Sequence, residues 1–278
     1  MKTTLVWGET VLNGGAVTCA GQKFEPDDTK AYVEFYLSHG FPVVTSDRTA
    51  IHPQVVANSY GSLLHQVFNL GHMMKAYDPE NNARDRILGS VVVVEFPEAA
   101  GADGWKVQAD PAKAPGIHGV AVMHKLAEGA AQILAQHLTG KRRWTVSMET
   151  QFSLEESGFL IGKDDALGEA VRFAEAETPD DLRSLGYWWM PWGKAGPVME
   201  AWDEARTRIK PAYQTRQIVF LLAGLDGRVH YNGVGLTPWG KEPAAEVRQM
   251  VAEEDLADAG LRLGEQLAAL GICSCECP

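Results

Sequence analysis

Two hydrophobic rhythms run along this chain, one with a period near two and one near 3.6 residues. Thr4 to Trp7 and Phe41 to Ser46 read as short strands, and Lys30 to His39 predicts a short helix stopped by Gly40 and Pro42. Val67 to Leu70 and the β-branched run Ile87 to Phe96 are strands. The segment Tyr77 to Asn82 between them is turn chemistry, and Pro97 to Pro115 reads as a surface loop. Gly119 to Leu138 carries Val122, Leu126, Ala130, Ile133, Leu134 and Leu138 at helical spacing, with Gly140 as its C-cap. Trp144 to Phe152 is a strand, and Gly162 to Arg183 is acidic and partly helical. Gln217 to Leu222 and Val229 to Tyr231 flank Asp226-Gly227, a hairpin signal, and Val234 to Thr237 follows as a strand. Pro243 to Leu270 is Ala/Leu/Glu-rich and reads as helical. Strands with segregated helices and no internal repeat predict an α+β fold, not a βαβ alternation.

Composition narrows the function classes. A chain of 278 residues, 45% hydrophobic, can bury a sizeable core. A formal charge of −11 repels phosphate backbones, so nucleic acid is not an expected partner. No apolar run reaches membrane-spanning length, and Met1 to Leu5 is not a secretory leader, so a soluble intracellular protein is expected. Cys273, Cys275 and Cys277 lack the C-x2-C spacing of structural zinc sites, and no histidine lies near them in sequence. They read as a flexible, oxidation-prone terminus.

Candidate chemistry rests on His72 and Ser147. A serine hydroxyl needs a neighbouring base to take its proton, and imidazole has a suitable pKa. His72 follows an apolar strand and precedes Ile87-Leu88-Gly89-Ser90, whereas Ser147 lies within Trp144-Thr145-Val146-Ser147-Met148-Glu149. The Gly-x-Ser-x-Gly elbow of α/β-hydrolases is missing, so a serine hydrolase here would carry its nucleophile on a strand. Glu149 sits two residues from Ser147, on the same face of that strand, as a candidate to orient the base. His65 is the competing histidine, while His118, His124 and His137 read as loop or helix-face residues.

Three islands carry a family resemblance. Asn69-Leu70-Gly71-His72 with Ile87-Leu88-Gly89-Ser90, then Trp144 to Glu149, then Asn232-Gly233-Val234-Gly235-Leu236-Thr237-Pro238-Trp239, resemble tailed-phage prohead maturation proteases in that order. The resemblance spans Pro42 to Val247. It implies a herpesvirus-protease-like fold, a distorted antiparallel β-barrel surrounded by helices. It also implies a serine endopeptidase that cleaves bacteriophage scaffold and major capsid proteins during head maturation. Ser147 would be the nucleophile and His72 the general base; the closing strand departs from the family by offering Asn232 and Gly233 where a carboxylate is expected, which leaves the third member open, with Glu149 as the candidate from its place on the Ser147 strand. No metal or organic cofactor is implied, and the setting is the assembling procapsid in the host cytoplasm, with a homo-oligomer open. The alternative is a non-enzymatic virion or scaffold-associated protein on the same fold.

The expected organisation is one protease-like domain over residues 1–240, with an inserted segment near 153–216. Residues 241–278 form a helical arm with the cysteine-containing tail. Tyr187, Trp188, Trp189 and Trp192 within the insertion either line a peptide groove or pack a core.

Overall fold

Period two prevails over most of the chain. Ala31, Val33, Phe35 and Leu37 are each fully buried, the alternation of a half-buried strand, so Lys30–Leu37 is a strand and not the expected helix. The stop signals at Gly40 and Pro42 end a strand as readily as a helix. In the same way Ile117–His124 is a strand, and helix begins only at Ala130, ending at Leu138. Ile117, Ala121 and Met123 are buried on one side and Val120 and Val122 on the other, so both faces are apolar and the alternation is hidden. The segment Glu246–Asp255, read as the start of a helical arm, is also a strand. A register irregularity between Val247 and Gln249 shifts its phase and blurs the period.

The computed structural model describes residues 2–6, 9–11, 15–71, 87–97, 104–138, 142–163, 178–196, 198–199 and 218–255. The strands are β1 (Lys2–Val6), β2 (Glu9–Val11), β3 (Val17–Cys19), β4 (Gln22–Phe24), β5 (Lys30–Leu37), β6 (Thr49–Ile51), β7 (Val67–Leu70) and β8 (Ile87–Glu95). They continue as β9 (Ile117–His124), β10 (Thr145–Phe152), β11 (Gly158–Gly162), β12 (Tyr187–Pro191), β13 (Val219–Leu222), β14 (Val229–Thr237) and β15 (Glu246–Asp255). The α-helices are α1 (Pro53–Ser59), α2 (Ala130–Leu138) and α3 (Asp180–Ser184).

The fold is α+β and dominated by strands, with a curled half-barrel sheet at its centre. That sheet has nine strands in the order β10-β14-β7-β8-β9-β5-β15-β1-β2. Neighbours are antiparallel except β14 and β7, so the sheet is mixed and not purely antiparallel. Thr145 Oγ1 donates to the Ala245 carbonyl at 2.7 Å, tying the start of β10 to the approach of β15 and holding the curl. Inside the curl lie Phe35, Phe68, Leu88, Val146, Leu236, Val247 and Met250, with Ile133 and Leu134 of α2 in the same core.

A second sheet, β12-β11-β13-β6, shares that core through Phe159, Ile161 and Phe220. The rings of Phe159 and Phe220 lie 5.1 Å apart, and Trp192 stands 5.6 Å from Phe220. Tyr187 and Trp189 are buried in an adjoining cluster with Phe41 and Leu160. The aromatic segment therefore packs a core. Within the segment expected as an insertion, β11 and β12 belong to this sheet: β12 pairs with β11, and β11 with β13. No helix among the described residues is long and apolar enough to cross a membrane.

Candidate functional site

Three adjacent strands bring the central residues together. On β10, Ser147 and Glu149 are two apart and face the same way; on β14 their partners are Gly235 and Gly233. On β7 the next partners are Asn69, opposite Gly235, and Val67, opposite Gly233. The row Ser147-Gly235-Asn69 thus crosses three strands on one face of the sheet. Two glycines in the middle strand leave a floor without side chains, and Ser147, Glu149 and Asn69 surround it.

The two glycines differ in how closely the neighbouring chain approaches them. A Cβ at Gly235 would stand 2.0 Å from the Gly71 carbonyl oxygen and 3.2 Å from Asn69 Oδ1. At Gly233 it would meet the Val67 carbonyl oxygen at 3.1 Å and Glu149 Oε2 at 3.5 Å. Both carboxylate and amide therefore lean over the floor.

The site is dry. Asn69 is fully buried, Glu149 is 6% exposed and Ser147 9%. Asn69 Nδ2 donates to Glu149 Oε1 at 3.3 Å, across 80 residues of sequence. Its Oδ1 is buried with no hydrogen-bond partner, an acceptor held at a cost of about 1–3 kcal/mol. Glu149 is consequently a buried, hydrogen-bonded group next to the serine, not a solvated surface acid.

β7 ends at Leu70, and the Gly71 N–H donates to the Leu236 carbonyl at 2.8 Å. Gly71 has φ +84°, a left-handed conformation that turns the chain out of the strand. His72 itself lies outside the described residues, as does the segment Tyr77 to Asn82 expected as a turn. His65, the competing histidine, has φ +66° and sits in the connection before β7, with its N–H on the Val91 carbonyl. On the other side of the same strand ends is a cavity of about 320 Å³, lined by Leu70, Gly71, Ile133, Trp144 and Leu236. Arg142 is also part of its wall and lies 5.4 Å over the Trp144 ring.

Two further polar clusters were not visible in the sequence. Glu242, 8% exposed, accepts from the backbone N–H groups of Ser38 and His39, both at 2.8 Å, and its Oε1 lies 2.6 Å from His39 Nδ1. Beside it the hydroxyls of Ser38 and Tyr231 are 2.6 Å apart, and burial pushes the Tyr231 phenol upward. His118, expected on a loop or helix face, stands in mid-sheet on β9. Its Nε2 is 2.8 Å from Glu34 Oε1 and its Nδ1 2.5 Å from Glu95 Oε1. Burial opposes the charge on that ring, but Cys19, Glu34 and Glu95 outweigh it and push the pKa up to about 11.

Sequence signals for these groups existed only in part. Asn69 is a polar residue inside the apolar run Val67-Phe68-Asn69-Leu70, a local irregularity that marks a buried polar group. Glu242 and His39 are joined only by tertiary folding. No protein-family model, curated protein or solved structure matches this chain.

Proposed function

We propose that this chain is a serine endopeptidase of the prohead-maturation type, herpesvirus-protease-like in architecture, acting on scaffold and major capsid proteins. The observation that carries the reading is the Ser147-Gly235-Asn69 row with Glu149 beside it: a buried hydroxyl, a bare backbone floor and a fixed carboxylate in one place. Ser147 attacks the scissile carbonyl, and His72 takes its proton and returns it to the leaving amine. His72 follows Gly71 in sequence, and the Gly71 N–H is held on β14 one residue along from the Ser147 partner Gly235. Glu149 orients the imidazole or stabilises its charged form. The unpartnered Asn69 Oδ1 accepts an N–H from that ring or from substrate.

Co-expression with the cognate scaffold and capsid proteins tests this. The parent chain is expected to cut at least one of them, and Ser147→Ala and His72→Ala are each expected to abolish cutting while circular dichroism stays unchanged. Processing that survives either substitution would overturn the assigned roles. A parent that co-assembles with the capsid but leaves every substrate whole would favour the non-enzymatic virion protein instead.

A further inference from the structure

The His118 cluster lies apart from the Ser147 site, on strands β8, β9 and β5 and on the hairpin β3–β4 packed over them. Cys19 ends β3 and is 2% exposed. Its Sγ, a Glu95 carboxylate oxygen and a His118 ring nitrogen all lie within 4.8 Å of one another. A soft thiolate, an imidazole and a carboxylate together suit a zinc-type ion.

We propose that Cys19, Glu95 and His118 form a binding site for a divalent transition metal of the zinc class, with Glu34 positioning His118 from its other ring nitrogen.

Geometry supports each role. His118 Nδ1 faces Glu95, and its Nε2 faces Glu34 at 2.8 Å, the carboxylate-histidine arrangement that fixes the tautomer of a metal ligand. Around a tetrahedral zinc the donor atoms stand roughly 3.4–3.6 Å apart, given bond lengths of about 2.0–2.3 Å. Glu95 must therefore swing away from His118 by about 1 Å, starting from their present 2.5 Å contact. Its side chain is 41% exposed and free to do so, while its other oxygen accepts the Ala20 N–H at 2.8 Å in the hairpin turn. Cys19 and His118 are held by the packed sheet, and Tyr36 stacks on the His118 ring at 4.5 Å. Three protein ligands leave a fourth position for water.

The Arg248 guanidinium, 3.5 Å from Glu34, faces the same carboxylate as His118. The ion pins the hairpin to the sheet through ligands on β3, β8 and β9.

The test uses full-length protein in which Cys273, Cys275 and Cys277 are replaced by serine, so that the tail thiols do not compete. Cobalt(II) is titrated and the thiolate-to-cobalt charge-transfer band recorded. One equivalent is expected to bind with that band. Cys19→Ala should remove the band, His118→Ala should weaken binding tenfold or more, and Glu34→Gln should keep the band with affinity roughly 10–100-fold lower. Zinc should raise the melting temperature of the tail-serine protein and leave that of its Cys19→Ala version unchanged, with circular dichroism confirming that both fold. No band in the tail-serine protein, or a band that survives Cys19→Ala, would overturn the site. Neither result bears on the Ser147 reading.

Discussion

At the residue scale, Gly235 and Gly233 differ in what a single methyl group would meet. The methyl at 235 would collide with the Gly71 backbone at 2.0 Å, and no side-chain rotation can relieve that. At 233 the nearest atom is 3.1 Å away, so a shift of a few tenths of an ångström suffices. Gly235→Ala is therefore expected to destabilise the fold by about 1–3 kcal/mol or more, as over-packing does, and Gly233→Ala by less than about 1 kcal/mol. Urea denaturation of the two variants checks this, and equal losses would mean that the Gly71 contact is not what fixes glycine at 235. The same residues show what the sequence could disclose of the site. Ser147 and Glu149 were readable as one face of one strand, because spacing by two needs no tertiary knowledge. Asn69 stands out in the sequence only as a polar residue in an apolar run; its bond to Glu149 depends on β14 inserting between β7 and β10, a parallel neighbour that no local pattern announces. His39 and Glu242 were invisible for the same reason.

At the scale of elements, Phe35 shows why β5 is a strand. Its ring lies over Gly119, its cross-strand partner on β9, so closely that a Cβ there would stand 2.6 Å from the ring. This pair locks β5 to β9 in register, because a slip by one residue would put the ring against a side chain. Phe35→Ala should cost about 3–5 kcal/mol, the usual range for emptying a buried aromatic site. Its urea midpoint should fall accordingly, and a loss below about 1 kcal/mol would show that the ring does not hold the register. Segments with clear alternation or β-branched runs, such as β8 and β10, were legible in the sequence, whereas β14 reads as two strands and the Asp226-Gly227 hairpin signal joins β13 and β14, which lie in different sheets. Those read as helix failed for identifiable reasons. β9 is apolar on both faces, β15 carries an irregularity that breaks its period, and β5 ends in signals shared by both element types. Glu242 extends the point to loops, because it closes the end of β5 by accepting from Ser38 and His39. Glu242→Gln places an amide donor where an acceptor is needed, and should lower stability by about 1–3 kcal/mol in the same denaturation assay.

At the scale of the whole molecule, the two sheets meet around α1, and its first turn contains an acid-sensitive group. His52 follows β6 of the smaller sheet and caps α1, its Nδ1 accepting the Gln54 N–H at 3.2 Å. The helix packs its buried Val55 and Val56 into the shared core. Burial lowers the His52 pKa from 6.5 to about 4, against the opposing pull of Asp181 and Asp226. Protonating Nδ1 would also turn the cap's acceptor into a donor facing another donor. The unfolded chain takes up this proton near pH 6.5 and the folded chain only near 4, so between those values the unfolded state binds more protons. Stability is thus full above about pH 6.5 and declines as the pH falls toward 4. The full difference amounts to roughly 3 kcal/mol for this group, at about 1.4 kcal/mol per pKa unit. Other titrations act over the same range, because a chain of charge −11 also loses self-repulsion as its carboxylates protonate. Comparing the parent with His52→Asn separates the two effects, since asparagine keeps an N-cap acceptor but does not titrate. From pH 7 to 4.5 the parent is expected to lose about 2 kcal/mol more than His52→Asn in urea unfolding. Parallel stability curves for the two proteins would mean that the smaller sheet and α1 do not depend on a neutral His52, and that acid acts on the molecule elsewhere.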